Sequence, residues 1–179
     1  MTVPSASGET IRLTVEELNE LFAWMDPTPL PHRDLDEDIA RWIVSWAEDL
    51  RDDLPPAIEI QIQGEVDPTQ AGALEETFHR YFRREAEFRR RELGRLLRDG
   101  RISLVIGVAA LAGFQLLSSF LGKVGQSPFT QFLQEGAAIA GWVAMWRPME
   151  VLLYDWWPIR RLRNTYLRLA SSPVRVVPA

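Results

Sequence analysis

Residues 102–122, ISLVIGVAALAGFQLLSSFLG, are 21 consecutive positions without a charge or a proline. A helix needs about 20 apolar residues to cross bilayer hydrocarbon, so this run predicts a transmembrane helix. A second apolar segment, residues 132–157, begins after a connection of only nine residues, which makes antiparallel neighbours of the two. The expected fold class is an α+β membrane protein: a transmembrane helical hairpin with a small, mainly helical cytosolic domain that contains a short β-sheet. Residues 1–100 are expected to form that acidic domain with a long basic neck helix, residues 101–157 the hairpin, and residues 158–179 a cytosolic tail able to add a strand to the head.

Charge supplies the orientation. The net charge of −5 conceals a split, since residues 1–79 hold 18 acidic against 4 basic side chains and residues 80–179 hold 7 against 16. Nine arginines fall between Arg80 and Arg101, and Arg160, Arg161, Arg163 and Arg168 follow the second segment, whereas the connecting loop offers only Lys123. Positive charge stays on the cytosolic side, so both termini are expected in the cytosol and the loop around residues 122–130 outside. The opening MTVPSASGET has neither a basic nor an apolar leader region, so the first span itself is expected to direct insertion. Cysteine is absent, which excludes disulfides, thiolate metal sites and cysteine nucleophiles. Arginine outnumbers lysine 19 to 1, a composition associated with GC-rich bacterial genomes.

Within the head, Thr14-Val15-Glu16-Glu17 matches a capping box ahead of a short helix bearing Leu18, Leu21 and Phe22. Three prolines at positions 27, 29 and 31 predict an extended loop. Asp34-Leu35-Asp36-Glu37 repeats the box pattern, and Ile39, Trp42, Ile43, Trp46, Ala47 and Leu50 then recur at helical spacing to about Asp52. Ile58, Ile60 and Ile62 alternate with Glu59, Gln61 and Gln63, which predicts a strand buried on one face and ended by Gly64. Its candidate partners are residues 10–13 and 174–177. Asp67-Pro68 opens a long helical pattern through Leu74, Phe78, Phe82, Leu93 and Leu97 toward the first span, supported by i,i+4 pairs Glu85–Arg89 and Glu87–Arg91. Gly94 and Gly100 are its natural places to bend.

Polar residues at membrane depth are costly and face protein or water. Gln115 lies about two thirds across the first span, near the depth of Gln134 and Glu135 at the outer end of the second. Arg147, Pro148 and Glu150 interrupt the second segment, and two arrangements compete. Either the span ends near Trp146, with residues 151–157 lying in the interface, or the helix continues to Trp157 with a proline irregularity and an Arg147–Glu150 pair; the interfacial arrangement is preferred. Helix packing is expected from small residues: Ser103, Gly107 and Ala110 with Ala109 and Gly113 in the first span, and Ala137 with Gly141 and Ala140 with Ala144 in the second. Trp142, Trp146, Trp156 and Trp157 read as interface anchors.

Other constellations fail. Residues 32–38 have the alternating acids of a calcium loop but lack its glycine and its terminal glutamate, and Ile39 and Ser45 stand in those places. With His32 and His79 as the two histidines, a zinc site is not expected, nor is any other metal or cofactor. The arginine-rich neck abuts a membrane span, so anionic lipid headgroups rather than nucleic acid are its expected partner. An enzyme built on His32, Asp34 and Asp36 would need an acid, base and nucleophile set that the sequence does not display.

The segments Met25-Asp26-Pro27-Thr28-Pro29, Asp34-Leu35-Asp36 and Trp42-Ile43-Val44-Ser45-Trp46-Ala47, with Gly141-Trp142-Val143-Ala144-Met145-Trp146-Arg147-Pro148-Met149-Glu150 and Tyr154-Asp155-Trp156-Trp157-Pro158, resemble a family of uncharacterised two-span bacterial inner-membrane proteins. The resemblance covers most of the chain and implies an inner-membrane location, without catalytic residues to carry over. The expected function is a non-enzymatic integral membrane subunit or scaffold that self-associates or docks on a larger complex. The alternative is a homo-oligomeric channel or transporter component with Gln115, Glu135, Arg147 and Glu150 lining a path.

Overall fold

A computed structural model describes residues 10–24, 28, 32–50, 55–63, 68–124 and 127–178. The prolines of the loop at positions 27, 29 and 31, together with Asp52, Gly64 and the cap at Asp67, lie outside the described residues. Helix predominates, with one three-stranded sheet.

The isoleucine alternation forms strand β2, Ala57–Ile62, and both proposed partners pair with it. Strand β1, Thr10–Val15, and strand β3, Val174–Pro178, flank β2 in parallel, with Ile11 opposite Ile58 and Ile58 opposite Val174. Parallel neighbours need crossovers. The first runs through helix α1, Glu37–Asp49, and the second includes helix α2, Pro68–Val124, helix α3, Pro128–Glu150, and helix α4, Trp156–Leu169. One face of the sheet buries Ile11, Leu13, Val15, Ile58, Ile60 and Ile62 against Ile43 and Ala47 of α1, Phe78 and Phe82 of α2, and Leu169 of α4. Burial of this kind contributes about 25 cal/mol per Å² of apolar surface and supplies most of the stability of such a core.

The first capping box does not form. Thr14 and Val15 belong to β1, where Thr14 Oγ1 donates to Gln61 Oε1 of the neighbouring strand at 3.3 Å. A β-branched residue beside an open sheet position gains more from cross-strand pairing than from capping the single turn of 3-10 helix at Leu18–Leu21. The second cap does form, two residues later than the box pattern places it: Asp36 accepts from the backbone N–H groups of Asp38 at 2.9 Å and Ile39 at 3.3 Å. Asp34 instead pairs with Arg84 of α2 at 2.7 Å.

Helix α2 runs unbroken for 57 residues, about 85 Å at 1.5 Å per residue. Gly94 and Gly100 lie inside it without ending it. Pro148 does not end the second apolar helix either. A π-helical turn, Val151–Asp155, carries α3 into α4, and the Val151 N–H is shared between the carbonyls of Arg147 and Pro148. The indole N–H of Trp156 donates to the Leu152 carbonyl at 2.9 Å, giving a partner to a backbone oxygen within the widened turn.

The chain divides into two compact units. Unit 1 comprises Met1–Arg89 and Arg161–Ala179, and unit 2 is Arg90–Arg160. The division falls inside the basic neck, between Arg89 and Arg90. Among the described residues one helix, α2, is long and apolar enough to cross a membrane; its most apolar stretch has a mean hydropathy of 2.1 and is only 11% buried. In α3 the stretch free of charge and proline between Glu135 and Arg147 is residues 136–146, about 16 Å long.

Candidate functional site

In unit 2, α2 and α3 run antiparallel, joined by glycine contacts. A methyl group at Gly107 would lie 3.0 Å from Pro148 Cγ, 3.2 Å from the Ala144 carbonyl oxygen and 3.3 Å from Met145 Sδ. Proline at position 148 has no N–H to give the carbonyl four residues earlier, that of Ala144. It is this carbonyl that the Gly107 backbone approaches. A methyl at Gly141 would meet Leu111 Cδ1 at 3.0 Å, and one at Gly100 would come within 2.7 Å of Val151 Cγ1. Gly122 faces the side-chain amide of Gln134. On α3 the seam thus reads 134, 137, 141, 144, 148 and 151, alternating steps of three and four, with Ala137, Pro148 and Val151 buried. That is the spacing of knobs entering grooves between helices crossing at a shallow angle.

The other small face is different. A methyl at Gly113 would have nothing beyond its helix within 4 Å, and Ala109 is likewise exposed, so these two take no part in the seam. Gln115 and Glu135 are both exposed, and no hydrogen bond joins Gln115 to Gln134 or Glu135 among the described residues. Trp142, Trp146 and Trp157 are exposed and Trp156 is partly covered.

Arg147 is the centre of a small charged cluster. It reaches Glu150 at 3.0 Å and Asp155 at 3.7 Å, so two carboxylates flank one guanidinium beside the π turn. Sequence reading singles out Arg147 and Glu150 but not Asp155, which lies eight residues after Arg147 at the end of the π turn. The seam also sets the level of Arg147 along α2. Val151 meets Gly100, before the uncharged run, and Ala144 and Pro148 meet Gly107, six residues into it, so Arg147 stands beside the first turns of that run.

In unit 1 the acids that an enzyme would use have structural roles. Asp36 caps α1 and Asp34 holds Arg84, whose pKa is raised first by that hydrogen bond. The last carbonyls of α1 have side-chain caps from α4: Arg168 donates to the Ala47 oxygen at 2.8 Å and Arg161 to that of Glu48 at 3.3 Å. Cations there complement the negative end of the helix dipole. Two of the four arginines that read as membrane flanks are therefore engaged within unit 1. His79 Nε2 lies 2.7 Å from the Ser172 carbonyl, tying α2 to the turn before β3.

Unit 1 also has a cleft of about 460 Å³ between α1, α2 and α4, with Glu37, Arg41, Glu48, Tyr81, Glu85 and Tyr166 among its lining residues. Burial, then the nearby Glu85, pushes the Tyr81 phenol up to about 12. Burial also raises that of Tyr166, against the hydrogen-bonded Arg89 guanidinium, which lowers it. Among the cleft's lining residues Ser45 carries the one aliphatic hydroxyl, and Glu37, Glu48 and Glu85 supply carboxylates. Among the described residues no group of three or more histidine, aspartate or glutamate side chains converges as a metal site.

No family model matches this chain, and neither a curated protein nor a solved structure matches it.

Proposed function

We propose that unit 2 is a transmembrane hairpin of a bacterial inner-membrane protein with both termini cytosolic, and that the chain is a non-enzymatic membrane subunit or scaffold. The supporting observation is an inversion of burial: α2 and α3 join through glycine and alanine, while Val105, Leu116, Phe120, Ile139, Trp142 and Val143 point outward, each at least 64% exposed. Water penalises such a surface and lipid does not. The arginines on either side of the hairpin supply the orientation and meet anionic headgroups. In this arrangement Arg147, near the start of the apolar run, snorkels with Glu150 and Asp155 toward the cytosolic headgroups, and Trp156 and Trp157 lie in the interface.

The chain has no cysteine, so single substitutions report topology cleanly. In intact inner-membrane spheroplasts an impermeant maleimide is expected to label Lys123→Cys and to label Arg83→Cys only after lysis. Protein recovered in the soluble fraction, or equal labelling of both before lysis, would overturn the hairpin.

Gln115 and Glu135 favour a second reading. Each is a polar group on an otherwise apolar, outward surface, where a protein partner or a water-filled path lowers its cost. A homo-oligomer that buries Gln115 and Glu135 would satisfy them, and conductance lost on Glu135→Gln and Arg147→Gln would convert the scaffold into a channel component.

A further inference from the structure

The sheet of unit 1 ends differently at its two edges. β3 finishes in Pro178, which has no N–H to offer, and Arg175 stands on it. β1 is TIRLTV, with no proline, and it pairs with β2 without a bulge from Thr10 to Val15. Natural sheets blunt an edge of this kind or use it, because its second row of backbone donors and acceptors is a template for another strand.

Beside this edge, helix α1 presents Trp42 and Trp46, 41% and 50% exposed, with ring centroids 5.4 Å apart. Together with Thr10 and Arg12 they line a groove of about 450 Å³. Neither tryptophan belongs to the apolar core, and both lie in unit 1. A strand edge with a helix-borne aromatic wall has the form of the grooves in which extended peptides add to a sheet.

Charge selects the occupant. Arg12 is offset by Glu59 at 3.7 Å and Arg41 by Asp38 at 2.8 Å. The chain leaving β1 carries Glu16, Glu17 and Glu20, whose carboxylates meet no basic side chain among the described residues, and Asp49 follows Trp46 on α1. Indole faces attract cations as well as apolar side chains.

We propose that β1 and the Trp42–Trp46 pair form a docking groove for a basic, extended segment of a partner protein, which adds to the sheet as a fourth strand. Its backbone pairs along Thr10–Val15, one lysine or arginine covers an indole face, and its remaining positive charge meets Glu16, Glu17 and Glu20. The inference stands on unit 1 alone, so it holds whether or not unit 2 spans a bilayer.

The test uses the full chain in neutral detergent micelles and a fluorescently labelled, end-capped seven-residue peptide of alternating arginine and valine, read by anisotropy. Three further probes are the same peptide with its backbone amides N-methylated, a glutamate–valine counterpart, and the protein variants Trp42→Ala and Trp46→Ala, with the 89% exposed Trp24→Ala as control. The arginine peptide is expected to bind, and N-methylation or loss of either groove tryptophan to weaken it about tenfold. The glutamate peptide should not bind, and Trp24→Ala should match the wild type. Equal binding of the N-methylated peptide would reduce the contact to charge alone and overturn strand addition. Unchanged binding by both tryptophan variants would overturn the groove. A concentration-dependent dimer that Trp46→Ala dissociates, with no peptide binding, would assign the edge to a second copy of this chain instead.

Discussion

Unit 1 and unit 2 hold their helices together by opposite means. In unit 1 large side chains point inward: Phe78, Phe82, Ile43 and Ile60 are all fully buried. In unit 2 the inward positions are the small ones, Gly100, Gly107 and Gly141, and the large side chains face out. Water makes the first arrangement stable, since it rewards the removal of apolar area. The second buries little large apolar area and relies on close backbone approach and dispersion, the kind of packing that lipid tolerates. One chain thus carries two kinds of helix packing, and a substitution should have different consequences on either side of Arg89–Arg90.

The strongest break is expected in the water-type core. Phe78→Ala removes a fully buried ring and should cost about 3–5 kcal/mol, read as a lower urea midpoint of unit 1 in micelles. Equal loss from truncating the exposed Phe120 to alanine would erase the distinction between the units. Next, Gly107→Leu drives a side chain into Pro148 and the Ala144 carbonyl and should cost about 1–3 kcal/mol. Its counterpart Gly113→Leu, which meets open space, should leave the thermal midpoint in detergent nearly unchanged. A destabilised Gly113→Leu with an intact Gly107→Leu would place the seam on the wrong face.

Asp36→Ala should cost about 1 kcal/mol through the lost cap of α1, measured by chemical denaturation. The half-exposed Asp34–Arg84 pair is worth less, about 0.2–1 kcal/mol, and Arg84→Met should lose its effect as salt is raised. The smallest effect appears only in alkali. The folded Tyr81 keeps its proton up to about 12 while the unfolded chain releases it near 10, so unit 1 loses stability as pH climbs through that window. Below pH 10 the phenol is protonated in both states and contributes no slope. Tyr81→Phe should flatten the part of the alkaline decline that this group causes, followed by circular dichroism against pH.

Several elements were legible because their cause is local. The alternation of Ile58, Ile60 and Ile62 states which face of β2 is buried, and its two candidate partners, the short segments 10–13 and 174–177, are the ones the sheet uses. The acids before Ile39 announced a helix start, though only the backbone decides that Asp36 and not Asp34 accepts its N–H groups. Thr14 misled, since a capping pattern and a strand end can be spelled with the same residues and the neighbouring Gln61 tips the balance. Among the small residues, Gly107 and Gly113 both belong to small-residue spacings; only the face of α2 on which α3 lies separates them. The edge groove was invisible for the same reason, because Thr10 and Trp46 are far apart in the chain and meet only when α1 lies beside β1.

The sequence by itself determined the quantities that belong to single segments: an uncharged run at residues 102–122 long enough for a bilayer, a strand with one buried face, and an acidic first part followed by a basic second part. Tertiary structure decided what depends on two segments at once. It placed the division of the chain at Arg89–Arg90, carried the helix past Pro148 through a π turn, gave Arg147 two carboxylates, and left β1, among the described residues, at an edge of the sheet beside a pair of tryptophans. Period and composition are local sums along the chain, whereas seams, edges and grooves exist only once two elements share a surface.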